Sequence, residues 1–264
     1  MQYQHILTEQ RDKIFIVTMN RVAQRNAMCS QMWAEMIDAL EFFEKSEDLW
    51  VLIVTNNGPA FCAGADIKEL AAGTWHAPEG KEDWGLGGLI HHYFTKPVIA
   101  AVNGMALGGG TEMVLACDLA VASEHSAFGL PETGIGMIAN GGLLRISRQI
   151  PLKFAMEMAL TGEPVSAIKA HEWGLINRVV KEEELLPTAV RLAERICQNA
   201  PLSVRYTKAA MYKTLDMNIM YPSAAWEIIE YYTALDLATQ DKAEGNAAFV
   251  EKRRPVWKCC TSQC

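Results

Sequence analysis

Two glycine-rich turns, each between an apolar strand and a helix, constrain this chain more than any other feature. The first lies in WVLIVTNNGPAFCAGADIKEL, Trp50 to Leu70, and the second in PVIAAVNGMALGGGTEMVLACD, Pro97 to Asp118. Each reads as a buried strand, an Asn-Gly turn, a run of tiny residues and a helix start. Amides at such a start lack intrahelical partners, and the helix dipole turns its positive end toward them. Facing one another, two such turns would hold one negatively charged oxygen between two N–H donors, as an oxyanion hole does. Glu112, two residues past the Gly108-Gly109-Gly110 triplet, and Glu132, in the Leu130-Pro131-Glu132 turn, are then candidates to move protons beside it.

The pattern along the chain predicts strands at Lys13–Met19, Trp50–Thr55, Val98–Val102, Leu119–Ala122 and Leu175–Val180. Ser30 is the expected N-cap of a helix whose Met32, Met36, Ile37, Leu40 and Phe43 recur on one face. Further helices are expected from Gly110, over Gly141–Gln149 and Phe154–Leu160, and over Ser166–Trp173 with Gly174 just past its end. Ala72 to Gly88 is rich in Gly, Trp and charge without a period, and reads as a mobile loop or lid candidate, equally a cover over a site or a surface insertion. After Glu182 the pattern is helical throughout: Leu185–Gln198, Leu202–Leu215, Tyr221–Thr239 and Lys242–Glu251. The chain therefore reads as an α/β core over 1–182 followed by a helical region over 183–264. Tyr221, Trp226, Ile229, Tyr231, Tyr232 and Leu235 put apolar surface on several helix faces, which points to contact with another subunit.

Composition narrows the function. Of 264 residues, 50% are hydrophobic, enough for a sizeable core if most of the chain folds compactly. The net charge of -7 argues against broad phosphate-backbone binding, so nucleic acid is not an expected partner. A small anionic ligand is compatible with it, because local donors decide that case. The 7 cysteines are scattered and odd in number, which suits free thiols in a reducing, cytoplasmic compartment. Cys259, Cys260 and Cys264 fall in a short polar tail expected to be exposed. The 6 histidines, His91-His92 among them, lack metal-ligand spacing, and no metal is expected. The start, MQYQHILTEQRDK, reads as neither signal nor transit peptide. Asn103, Glu112 and Asp118 interrupt the apolar run from Pro97 to Ala122, so no membrane span is expected.

The triple glycine is neither a P-loop, since no Gly-Lys-Ser/Thr closes it, nor a dinucleotide fingerprint, since the Gly-x-Gly-x-x-Gly spacing is missing. Taken singly, Glu112 reads equally as a desolvated carboxylate of raised pKa or as an ordinary first-turn acid. Glu132 taken singly is a turn residue. No Gly-x-Ser-x-Gly element suggests a serine nucleophile.

FCAGADIKEL (61–70), KPVIAAVNGMALGGGTEMVLACDLAVAS (96–123) and AFGLPETGIG (127–136) together resemble the signature blocks of the crotonase, or enoyl-CoA hydratase, family. HEWGLINRVV (171–180) and FVEKRRPVWK (249–258) extend the resemblance over nearly the whole chain, and DWGLGGL with the PVWK ending is most similar to carnitinyl-CoA dehydratase-like members. The resemblance implies an α/β spiral of β–β–α turns, followed by a helical region that assembles a homotrimer or a dimer of trimers. It implies that the amides of Ala65 and Gly109 hold a thioester oxygen, with Glu112 and Glu132 as the catalytic carboxylates. Ala63, Asp66 and Ile67 would line the adenine end of coenzyme A, which belongs to the substrate, so no separate cofactor is implied. The family's Arg-Pro-Lys reads Arg21-Val22-Ala23 here, so the basic contact to the coenzyme phosphates is either lost or supplied by Arg25. The implied activity is hydration or dehydration of a 2-enoyl-CoA, in fatty acid metabolism, because both glutamates are present. An isomerase that shifts the double bond commonly keeps the second carboxylate only, and a non-catalytic RNA-binding or scaffold member would need a basic stripe. The loop Met137 to Gly142 is one residue short of the family's, which bears on the acyl group accepted.

Overall fold

A computed structural model describes residues 3–260 of the chain. They fall into two compact units, one running to Ala193 apart from Thr95–Pro97, the other made of Thr95–Pro97 and the residues from Glu194 onward. The pattern change in the sequence lies at Glu182; this division falls later, inside a helix.

In the first unit, β1 (Ile6–Arg11) and β2 (Ile14–Met19) form an antiparallel hairpin that leads into α1 (Ser30–Lys45). Three strand–turn–strand repeats follow. The first is β3 (Val51–Asn56) and β4 (Ala60–Cys62) with α2 (Ile67–Ala72). The second is β5 (Val98–Val102) and β6 (Met105–Leu107) with α3 (Gly109–Ala116). The third is β7 (Leu119–Ser123) and β8 (Ala127–Gly129), which runs into the 3-10 turn Pro131–Ile135. Then come α4 (Leu143–Gln149), α5 (Leu152–Thr161), β9 (Val165–Ser166), α6 (Ala167–Glu172), β10 (Arg178–Val180) and the start of α7 (Leu185–Cys197).

Each repeat sends its first strand into one sheet and its second into another. The larger sheet has the order β1-β2-β3-β5-β7-β10 and is parallel from β2 onward. The smaller sheet has the order β4-β6-β8-β9, with β4, β6 and β8 parallel. Every residue of β3 and β5 is buried, as expected of parallel strands covered on both faces. Phe43 and Leu40 of α1, Leu52 and Val54 of β3, Ala100 of β5 and Phe128 of β8 belong to one continuous core.

The small sheet is the main departure from the sequence pattern, which passes from the Asn-Gly turns straight to the helices. Three-residue strands are too short to show a period of two, so β4, β6 and β8 leave no readable trace. The predicted strand Leu175–Val180 shrinks to β10, and α1 is capped by Cys29, whose Sγ accepts from Met32 N at 3.5 Å. Ser30 is the first helical residue instead, and its hydroxyl donates to Glu69 at 2.9 Å. Beyond the end of α2 at Ala72, the stretch to Gly88, expected as a mobile loop, has no regular helix beyond single 3-10 turns, yet tryptophans tie it down. Trp75 Nε1 donates to Met28 O at 2.8 Å and Trp33 Nε1 to Gly85 O at 2.9 Å, with the two rings 4.9 Å apart.

In the second unit, α8 (Pro201–Thr214), α9 (Ala224–Leu237) and α10 (Gln240–Glu251) follow the end of α7. Helix α9 starts three residues later than the pattern from Tyr221 suggests, because Pro222 disfavours helical geometry in the residue before it. The tail is not the fully exposed segment expected from its composition. Asp241, 1% exposed, accepts from Lys258 N at 2.7 Å and Cys259 N at 3.1 Å, and Trp257 Nε1 donates to Gln198 O at 2.8 Å. Cys259 and Cys260 are half-buried there, and Cys264 lies outside the described residues. Among the described residues no helix is long and apolar enough to cross a membrane.

Candidate active site

The parallel pairing of β4, β6 and β8 decides where the predicted site residues go. Cys62 pairs with Ala106, and Leu107 with Gly129, so the three strands end side by side. The chain leaving β4 reaches Ala65, the chain leaving β6 reaches Gly109, and the chain leaving β8 reaches Glu132. Three stretches remote in sequence are thereby delivered to one edge of one small sheet.

The two turns touch. A Cβ on Gly64 would lie 3.4 Å from Gly109 N and 3.2 Å from Leu107 O, and a Cβ on Gly110 would lie 2.1 Å from Cys62 O. Glycine is therefore required at 110 for the helix to approach β4 this closely. Gly108 turns the chain with φ 55°, in the region L side chains avoid, and delivers Gly109 as the first residue of α3. Thr111 locks the arrangement: its hydroxyl lies 2.6 Å from Ala106 O and 2.9 Å from Gly129 O. Gly108 N donates to Gly129 O at 2.9 Å.

The Ala65 and Gly109 amides remain. Ala65 sits in a parallel bridge with Met28, made by Met28 N to Gly64 O at 2.8 Å and Asp66 N to Met28 O at 3.0 Å. Those bonds use the neighbours of the Ala65 amide and leave it pointing the other way. Gly109 N is an orphan donor of the first helical turn. Among the described residues neither amide donates to a protein acceptor.

Both glutamates lie beside this edge. Glu112 is 8% exposed, and its Oε1 accepts from Gly141 N at 2.9 Å and Gly142 N at 2.8 Å. Burial pushes the Glu112 carboxyl above the ordinary carboxylate range; the Gly142 and Gly141 amides, His91 and Arg145 oppose this without cancelling it. Glu132 Oε1 would lie 2.9 Å from a Cβ on Gly108, which places the carboxyl against the turn that presents Gly109. Glu132 Oε2 is buried without a hydrogen-bond partner. Its pKa is raised too, first by burial and then by the charge on Glu112, while its own amide pulls the other way.

The residues expected around the coenzyme are also located. Ala63, Ile67 and Arg25 are exposed, and Arg25 O accepts from Ala63 N at 3.1 Å, so these neighbours share one rim. The Asp66 side chain is already occupied: it pairs with Arg21 Nη1 at 2.7 Å and caps α2 through Lys68 N and Glu69 N at 3.0 and 3.4 Å. The Asp66 backbone is engaged as well, its amide by Met28 O at 3.0 Å and its carbonyl by Leu70 N at 2.9 Å, and Arg21, in place of a free base, is the residue that holds the side chain.

Two contributors carry no readable sequence signal. Gly141-Gly142, whose amides hold Glu112, is visible as a glycine pair with nothing to connect it to a residue 29 positions earlier. Leu86 packs over the second turn, with its Cδ1 2.9 Å from a Cβ built on Gly109, and no periodicity announces it.

Comparison with known proteins follows the same lines. The Enoyl-CoA hydratase/isomerase family model matches residues 9–259. The chain is 40% identical over 250 residues to a mevalonyl-coenzyme A hydratase of Aspergillus fumigatus, covering 93% of this chain and 91% of that protein. It is 37% identical over 262 residues to a carnitinyl-CoA dehydratase of Proteus mirabilis, covering 96% and 97%. Among solved structures, an enoyl-CoA hydratase from Mycobacterium tuberculosis H37Rv superposes with a TM-score of 0.90 at 38% identity, over 97% of this chain and 99% of that one.

Proposed function

Since the chain belongs to the enoyl-CoA hydratase/isomerase family, we propose that it adds water reversibly across the double bond of a 2-enoyl-CoA thioester. The thioester oxygen is held between the Ala65 and Gly109 amides. As water attacks the β-carbon, charge builds on that oxygen, and the two preset donors stabilise the enolate-like species. One such donor is worth about 10²–10³ in rate.

The observation that carries the proposal is the unequal pair of carboxyls beside two unused amides. Glu112 receives two amide hydrogen bonds, which favour its ionised form; Glu132 has a buried oxygen with no partner and a neighbour whose charge opposes its ionisation. Glu112 accordingly takes the proton of the attacking water, and Glu132 carries the proton given to the α-carbon. Each role is worth about 10²–10⁴. In the reverse direction the same groups exchange tasks and remove water from a 3-hydroxyacyl-CoA.

The coenzyme end rests on the rim of Ala63, Asp66 and Ile67, with Arg25 toward the phosphates. The second unit supports assembly as a homotrimer or dimer of trimers: α9 carries Trp226, Tyr231 and Leu237 at 40%, 59% and 60% exposure. Sedimentation of the purified protein tests that point.

The test of the activity is turnover of a panel of unsaturated acyl-CoAs that includes crotonyl-CoA and crotonobetainyl-CoA, run in labelled water. Wild-type protein should place one labelled oxygen on the β-carbon, and Glu112→Gln and Glu132→Gln should each lose about 10²–10⁴ in kcat. Undiminished turnover in both variants would refute the roles, and double-bond migration without label uptake would make the enzyme an isomerase.

A further inference from the structure

Glu112 can act as a base only if its carboxylate is ionised and correctly aimed, although it is buried. The groups that secure this come from outside its own helix. We propose that Arg145 is the positioning residue for this base: it braces the Gly141-Gly142 turn whose amides hold Glu112, and it puts a permanent positive charge beside the carboxylate. The inference rests on the hydratase reading of the site.

The geometry is a relay. Arg145 Nη1 donates to Gly141 O at 3.1 Å, and Arg145 N donates to Gly142 O at 3.0 Å. The residue thus grips both peptides of the turn, once through its side chain and once through its backbone. On the other side of the turn, Gly141 N and Gly142 N converge on Glu112 Oε1 at 2.9 and 2.8 Å. A carboxylate oxygen with two short amide donors is held in one orientation, and its charged form is the one so stabilised. Ile90 packs against the same turn, since a Cβ on Gly141 would lie 2.1 Å from its Cγ2. The turn is therefore held by packing on one side and by the guanidinium on another.

The charged groups that face Glu112 are His91, from the segment after the 3-10 turn Leu86–Gly88, Arg145, from α4, and Glu132, from the 3-10 turn Pro131–Ile135. His91 is exposed, and Glu132 is an acid. Arg145 is the member of this set whose positive charge persists across the whole working range.

The test is the pH dependence of kcat with the best substrate of the enoyl-CoA panel. Arg145→Gln keeps a hydrogen-bond donor and removes the charge. It should move the acidic limb of the profile up by about one pH unit, with kcat about tenfold lower on that limb and recovering above it. Arg145→Lys keeps the charge and should hold the limb near its wild-type position. In a Glu112→Gln background, adding Arg145→Gln should cost little more, because the residue acts through that carboxylate. Arg145→Met guards against a misfolded glutamine variant. An unshifted limb with a uniform loss of rate, an undiminished cost in the Glu112→Gln background, or failure of both neutral variants to fold would each overturn the inference. Those results leave the hydratase assignment intact, which stands or falls on the wild-type product and the glutamate variants.

Discussion

The turn after β4 and the turn after β6 each present one amide, yet different forces hold them. The first is a polar construction. Asp66 caps α2 with two amide hydrogen bonds, Arg21 pairs with Asp66 at 2.7 Å, and Met28 bridges across Ala65. The second has no side-chain cap at all. It depends on close packing, with Gly110 against Cys62 O, Gly108 at positive φ, and the Thr111 hydroxyl between two carbonyls. One half of the cradle should therefore be sensitive to pH and charge, and the other to added volume.

Gly109→Pro makes the largest change expected within the two turns. Proline is well accepted at the first helical position, so the helix survives while the N–H disappears. Turnover should fall by about 10²–10³, and circular dichroism checks that the Leu86 side chain, 2.9 Å from the new Cβ, gives way without loss of the helix. Gly110→Ala attacks the packing itself. A methyl group 2.1 Å from a backbone oxygen forces α3 away from β4. Urea unfolding should show a loss of about 3 kcal/mol, the same at pH 5 and pH 8 by the volume argument.

Asp66→Ala tests the polar half and should cost about 2 kcal/mol at neutral pH through the lost cap and the stranded Arg21. Burial raises the Asp66 pKa, but the Arg21 hydrogen bond and the Lys68 and Glu69 amides outweigh it, and the net shift is downward. Stability from a lowered carboxyl is present above its unfolded pKa and lost as pH falls through the folded value. The gap between wild type and variant should therefore close as the pH drops below about 4, unlike that of Gly110→Ala. A pH-independent Asp66 effect would erase the contrast between the turns.

The smallest effect has the opposite sign. The Glu132 carboxyl is raised by burial and by Glu112, so the native state binds its proton more tightly than the unfolded chain does. Its contribution is favourable below the unfolded pKa and lost as pH rises through the folded value. Glu132→Gln should raise the Tm by about 2 °C at pH 7 and leave it unchanged near pH 4, even as activity is lost.

Much of this site is legible in the amino-acid sequence because its parts are short and chemically distinctive. The two Asn-Gly turns, the glycine triplet and the glutamates at 112 and 132 stand out as letters, and the apolar pattern places every helix of the second unit to within a few residues. The small sheet is not legible, because its β4, β6 and β8 are three residues long, and it is this sheet that brings the turns together. Taken singly, Glu112 is evenly balanced between two readings, and its partners explain why: the Gly141 and Gly142 amides become relevant only after α4 folds against α3. The charge on Asp66 is visible, but its pairing with Arg21, 45 positions earlier, is not. Contacts of that separation carry no local pattern.

The central claim is that the Ala65 and Gly109 amides grip one carbonyl oxygen. An infrared difference spectrum of a bound, carbonyl-labelled enoyl thioester reads that grip directly. The C=O stretch should move to lower frequency on binding, and much of that displacement should vanish in Gly109→Pro. A stretch unchanged from free solution in folded, substrate-saturated wild-type protein would contradict it.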